Sequence, residues 1–291
     1  MFESNRSRIP TRLLSRALRS ISFLTLTFSL ASCHRCSSYY TDRADKLYSA
    51  GKYADAALTY SKAIQANASS GQAYAGLGLT ELKLNPLRET YRDLTRAADL
   101  LPARDDVKVT LGDLITSGYF GDKRRPQSLH DQLSKLGDQL MQKDPFDALR
   151  FKAYLAASDN DSTAAEQFFE KANAIKPMQP GLIFAWTQML FLTNQFEKGE
   201  RLSLELIQKD KSFSPIYDQL ESQYVRAHRE AEAEKLFATR VIENPKDVDS
   251  RLRLANFYAS TQRREQMTAV LRRMLDDPQD FPRAFAGGRF L

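Results

Sequence analysis

The chain has 291 residues, with 42 Lys or Arg against 36 Asp or Glu and a formal net charge of +6. Five of the arginines and only one glutamate fall in residues 1–32, so the remainder carries 37 basic against 35 acidic side chains, about +2. The basic pI of 9.2 is therefore mostly a property of the first 32 residues, and it gives no ground for a nucleic-acid partner.

The chain opens with Arg6, Arg8, Arg12, Arg16 and Arg19, followed by an apolar run from Ile21 to Ala31. That run is too short for a spanning helix, which needs about 20 residues. A basic leader, a short apolar run and small residues read as a secretory signal peptide over residues 1–32. The run ends Leu30-Ala31-Ser32-Cys33, which resembles the lipobox of bacterial lipoproteins, cut before the cysteine. The resemblance implies that Cys33 heads the mature chain and carries several acyl groups, enough for stable anchoring where one would be marginal. It also implies a place in the cell envelope. His34 rather than Asp after the cysteine points to the periplasmic face of the outer membrane over the inner membrane. An ordinary signal peptide or a short membrane anchor is the competing reading.

The only other cysteine closes Cys33-His34-Arg35-Cys36. Haem attachment needs His at position 37, which is Ser37, and zinc needs a second ligand pair, which no nearby sequence supplies. Cys36 is then a lone thiol, in a polar tether expected over residues 33–43.

From residue 44 to 278 the pattern is helical and repetitive. Tyr53, Ala56, Tyr60 and Ala63 mark the apolar face of one helix. Tyr74, Leu77, Gly78 and Leu82 mark the next, with Gly78 small where two helices cross. Asn85-Pro86 reads as an N-cap and first-turn proline for a following helix, which carries Ala97 and ends at Pro102. Leu111-Gly112 and Leu133, Leu140, Pro145 fit another pair around an insertion. Within it, residues 115–126 hold two glycines, a proline, Tyr119, Phe120 and the triplet Lys123-Arg124-Arg125, and are expected to form a projecting loop. Ala165, Phe169, Ala172 and Pro177 form a second helix. Trp186, Leu190 and Phe196 follow, with Gly199 where Ala is usual. Tyr217, Leu220, Tyr224, Ala233, Phe237 and Pro245 make a clear unit; Arg251, Leu254, Ala255, Tyr258, Leu271 and Pro278 make a looser one. Residues 279–291 read as an incomplete further repeat or a C-terminal tail.

Ala63 and Ala97 are 34 residues apart, and the prolines at 102, 145, 177, 245 and 278 follow at steps of 43, 32, 68 and 33, the first longer by an insertion of about nine residues and the others near that length or twice it. A two-helix period of this size defines a solenoid. The residues that carry it resemble the tetratricopeptide repeat. The resemblance implies an all-α fold, a right-handed α-solenoid of about seven helix pairs. It also implies a groove lined by first helices, where alignment places Asp45 and Tyr48, Leu79 and Lys83, Gln188 and Phe191, Ser222 and Arg226, and Asn256. Lys83, Arg226 and Asn256 do not reconstitute the family's paired Lys and Asn clamp for a peptide carboxylate.

No catalytic constellation is legible. His34, His130 and His228 stand apart from any metal-binding spacing, and there is no phosphate loop or nucleophile elbow. No cofactor and no metal are expected. The reading is a membrane-anchored scaffold for protein partners of the cell envelope, in outer-membrane protein assembly, pilus assembly or polysaccharide export. The alternative is the recognition array of a longer protein or enzyme truncated at residue 291.

Overall fold

In a computed structural model the described residues are 36–85, 87–277 and 279–281. They form α-helices and turns, with no strand among the described residues. Helix α1 covers 36–49. It is followed by α2 (Tyr53–Ala66), α3 (Gly71–Leu84), α4 (Leu87–Leu100), α5 (Asp105–Gly121), α6 (Gln127–Leu140), α7 (Pro145–Ser158), α8 (Ser162–Ile175), α9 (Pro180–Leu192), α10 (Phe196–Lys209), α11 (Ser214–Arg226), α12 (Glu230–Glu243), α13 (Val248–Ser260) and α14 (Arg264–Leu275). Taken two by two these are seven helical hairpins, as expected of a solenoid. The chain divides into two compact units, one ending at Asp144 and the other starting at Pro145.

Each hairpin turns through one residue with a left-handed backbone. These are Gly51 (φ 72°), Asn85 (68°), Arg125 (45°), Asn160 (62°), Asn194 (59°), His228 (55°) and Gln262 (60°). Left-handed φ stops the helix and frees its last carbonyls to bond into the turn. After Asn194, for example, the Gln195 N–H donates back to the Leu190 carbonyl at 2.8 Å, and after His228 the Arg229 N–H does the same to Tyr224 at 2.9 Å. Gly and Asn tolerate this conformation; Arg, His and Gln hold it at a cost. Asn85 is therefore the residue that ends α3, not the N-cap of α4. Pro86 and Pro278 lie outside the described residues.

In the first unit the apolar face of α2 buries Ala56 and Tyr60 in one cluster with Ala44 of α1 and Leu77 of α3, and Ala63 is buried as well. Glycines let the helices approach. A Cβ on Gly76 would lie 2.3 Å from the Tyr60 ring, and one on Gly78 would lie 2.7 Å from the Leu94 side chain and 3.2 Å from its backbone nitrogen. Tyr53 and Tyr74 are only half-buried. Residues 36–43, expected in the tether, are instead the first two turns of α1. Ser37 is buried and its hydroxyl donates to the Ala63 carbonyl at 2.9 Å. The expected loop at 115–126 is also mostly helix. α5 runs on to Gly121, Ile115 and Tyr119 are buried, and only residues 122–126 turn. Tyr119 packs edge-on to Phe120 at 5.2 Å and to His130 at 6.0 Å, which holds the extra turn down.

In the second unit Ala165, Phe169, Ala172, Tyr217, Leu220, Tyr224, Ala233 and Phe237 are buried. The Trp186 ring stacks on Phe169 at 5.7 Å, with the planes 4° apart. Pro145 opens α7 rather than closing the repeat before it. After α14, Phe281 is 1 % exposed beneath Arg251, whose guanidinium lies 4.8 Å from the ring centroid. Asp280 pairs with Lys246 at 2.9 Å, so residues 279–281 dock on the last hairpin. Residues 282–291 lie outside the described residues.

Candidate functional site

Two successive first helices of the second unit, α9 and α11, enclose a cleft of about 410 Å³. The helix period explains its lining. Phe184, Gln188, Phe191 and Leu192 share one face of α9; Pro215, Asp218, Gln219, Ser222, Gln223 and Arg226 share one face of α11. Two aromatic rings and an exposed leucine supply apolar surface, while amides, a hydroxyl and a guanidinium supply hydrogen-bonding groups. The positions of Gln188, Ser222 and Asn256 recur every 34 residues.

The walls of the cleft are held from behind. The Thr187 hydroxyl donates to Gln219 Oε1 at 2.6 Å, and Gln219 Nε2 donates to the Phe184 carbonyl at 3.4 Å. Gly199 explains itself here: a Cβ would sit 2.7 Å from the Phe191 ring. The ring takes the volume that the usual alanine would fill, and so stands at the edge of the cleft.

Charge near the cleft is set by a network across α11, α12 and α13, with Arg240 and Glu221 buried and Asp218, Asp249 and Arg253 reaching the surface. Arg240 is 2 % exposed. Its guanidinium reaches Asp218, Glu221 at 3.4 Å, Asp249 at 3.4 Å and the Ser250 hydroxyl at 3.1 Å. Arg253 joins Asp218 at 3.2 Å and Asp249 at 2.7 Å. Burial pushes the Glu221 carboxyl up to about 7, against the downward pull of Arg240, and one of its oxygens has no hydrogen-bond partner among the described residues. Asp218 is thus neutralised by two arginines. Arg226 has no ion-pair partner among the described residues and is exposed, so the local field of the cleft favours an anionic or polar group beside an apolar one.

The structure brings four of the sequence-derived groove residues, Gln188, Phe191, Ser222 and Arg226, into this one cleft. Asn256 is exposed on α13 and does not line it. In the first unit, Asp45 accepts a hydrogen bond from the Tyr60 hydroxyl, and Tyr48 packs edge-on to Tyr53 at 5.5 Å; both are engaged within their own hairpin. Leu79 is half-buried and Lys83 exposed on α3. A larger hollow of about 710 Å³ beside them is lined by Leu82, Leu87, Tyr91, Leu114 and Leu129 and takes in none of the expected groove residues. Leu30, Ala31, Ser32 and Cys33 lie outside the described residues. Sequence reasoning missed Phe184, Leu192, Pro215, Asp218, Gln219 and Gln223. The signal was available for all but Pro215, since each of the others stands three or four residues from a groove position it did name, and Pro215 stands seven from Ser222.

No family model and no curated protein matches the chain. Solved structures do. A tetratricopeptide repeat protein from Parabacteroides merdae superposes with a TM-score of 0.61 at 14 % identity, covering 88 % of this chain and 94 % of that one. PilF of Pseudomonas aeruginosa gives 0.51 at 12 % identity, covering 82 % and 99 %. MamA, residues 41 to the end, from Desulfovibrio magneticus gives 0.51 at 9 % identity, covering 61 % and 96 %. At these identities the likeness is one of fold.

Proposed function

We propose that this chain, whose fold is that of the tetratricopeptide repeat, is a scaffold that holds a protein partner at a bacterial envelope membrane. Repeats of this kind stack into extended surfaces suited to binding rather than to chemistry. The observation that carries the reading is the α9–α11 cleft, where Phe184, Phe191 and Leu192 face Gln188, Gln223 and Arg226. Apolar surface of this kind takes anchor side chains, and the amides and guanidinium fix the orientation of a bound segment. The bound segment is an extended or helical stretch of another protein, and no nucleic acid is involved.

The membrane part of the proposal rests on the sequence, on the basic leader and Leu30-Ala31-Ser32-Cys33. Acyl groups on Cys33 place the scaffold on the periplasmic face of the outer membrane and raise its effective concentration for partners confined there. Outer-membrane protein assembly, pilus assembly and polysaccharide export are the settings that suit such a scaffold.

Affinity capture from crosslinked membranes, with the native chain and Cys33→Ser side by side, tests the reading. The expected result is an envelope assembly or export component enriched with the native chain and lost with Cys33→Ser. Capture of the same soluble proteins by both forms rules out the anchored scaffold.

A further inference from the structure

The start of α1 has a feature that the binding of a partner does not use. Residues in an α-helix step by about 100° around its axis. On that wheel Ser37, Ala44 and Tyr48 turn inward, and the structure buries the first two and half-buries the third. Cys36, Tyr39 and Arg43 share the opposite flank. Cys36 and Arg43 are exposed, and Tyr39 is 61 % exposed with its ring edge-on to Tyr40 at 5.6 Å. Asp45 falls on a third side, about 120° from Tyr39, while Asp42 borders the stripe about 60° from Tyr39, and both are exposed.

We propose that this stripe of Cys36, Tyr39 and Arg43 lies at the headgroup level of the membrane that holds Cys33, so that the first hairpin meets the lipid surface directly. The proposal rests on the acyl-anchor reading above. Three residues of chain reach at most about 11 Å, so an acylated Cys33 keeps the start of α1 at the interface whatever path residues 34 and 35 take. The start of α1 is not free to swing, because the Ser37 hydroxyl is bonded to the Ala63 carbonyl. The helix must then show one of its exposed sides to the lipid. The Asp42 and Asp45 side is repelled by an anionic surface, whereas Arg43 is attracted to it. A tyrosine suits the headgroup region, with an apolar ring and a polar tip. With the stripe down, Asp45 and the first-helix face that it marks turn away from the membrane.

The test uses the full acylated chain in vesicles of phosphatidylethanolamine and phosphatidylglycerol containing headgroup spin-labelled lipid. A fluorophore is attached at Tyr39→Cys or at Ser38→Cys, each with Cys36→Ser. The two positions are adjacent, so the short tether holds both near the surface, and they differ by about 100° around the helix, which puts position 38 off the stripe. We expect stronger quenching at position 39 than at 38. Equal quenching, or stronger quenching at 38, in chains whose acyl mass on Cys33 is verified overturns the stripe and leaves the anchor standing. Absence of acyl mass on Cys33 in the native chain overturns the anchor and the stripe with it.

Discussion

Tyr258 donates its hydroxyl to Glu234 at 2.9 Å, and one repeat earlier Tyr224 donates to Glu200 at 2.6 Å. Arg263 and Arg229 complete the two sets. Arg229 reaches Glu200 at 3.1 Å and Arg263 reaches Glu234 at 2.8 Å, and their guanidinium carbons lie 4.9 and 4.7 Å from the two tyrosine rings. Each set ties the second helix of one hairpin to the first helix and the turn of the next. Arg263 holds the Glu234 carboxyl below its ordinary value, while burial and the Glu200 bond push the Tyr224 phenol up.

The glutamates of these two clamps carry their stability. Glu200→Ala or Glu234→Ala leaves a mostly buried phenol without its acceptor and is expected to cost about 1–3 kcal/mol. Glu→Gln keeps an acceptor and is expected to cost less. Urea denaturation midpoints of the four variants check this; Ala and Gln variants of equal stability count against it.

The turn residues predict gains. His228 and Gln262 hold a left-handed backbone that Gly51 adopts freely. His228→Gly and Gln262→Gly are each expected to stabilise the chain by about 0.5–1 kcal/mol, and Gly51→Ala to destabilise it by a similar amount. Thermal unfolding of the three variants gives the signs.

Gly78 and Gly199 predict losses of two kinds. Gly78→Ala pushes a methyl against the Leu94 side chain and backbone and is expected to cost about 1–3 kcal/mol. Gly199→Ala meets only the Phe191 ring, 2.7 Å away, which can swing. Its stability cost is expected to be smaller, with the larger effect on binding in the cleft. Denaturation midpoints and partner affinity, measured on both variants, separate the two.

Glu221 gives the second unit a pH dependence. Its folded value, about 7, lies above the ordinary glutamate value of 4.5, so between those limits the folded chain binds more protons than the unfolded chain. Stability from this group is present below about pH 4.5 and falls as pH rises through 7. Glu81 in the first unit, raised to about 7 by burial beside Asp93, acts in the same direction. Glu221→Gln is expected to lessen the fall in melting temperature between pH 5 and pH 8 without abolishing it. An unchanged fall rules out Glu221 as a source.

The helix pairs were legible because Ala56, Tyr60 and Ala63, or Tyr217, Leu220 and Tyr224, recur at helical spacing and again at 34 residues. Residues 36–43 were not, because their one buried position is Ser37, a small polar side chain that leaves little apolar signal. Residues 115–121 misled through Gly118 and Gly121, which read as loop residues. Neither has a left-handed backbone, and a Cβ would meet nothing nearer than 3.7 Å at either. The Arg240 network was hidden for another reason. Its partners Asp218, Glu221, Asp249 and Ser250 come from two other helices, and only packing brings them together. The cleft was half visible, since repeat alignment finds one or two positions per helix and the neighbours along each helix face complete it.

Site-specific photo-crosslinking in cells tests the scaffold most directly. A crosslinker replaces Gln188 or Ser222 in the cleft, or Ile242, which is 73 % exposed on the second helix α12. Adducts with one envelope protein from positions 188 and 222, and none from 242, are the predicted result. Adducts from 242 alone, or none from the cleft positions, would contradict the α9–α11 cleft as the site that holds the partner.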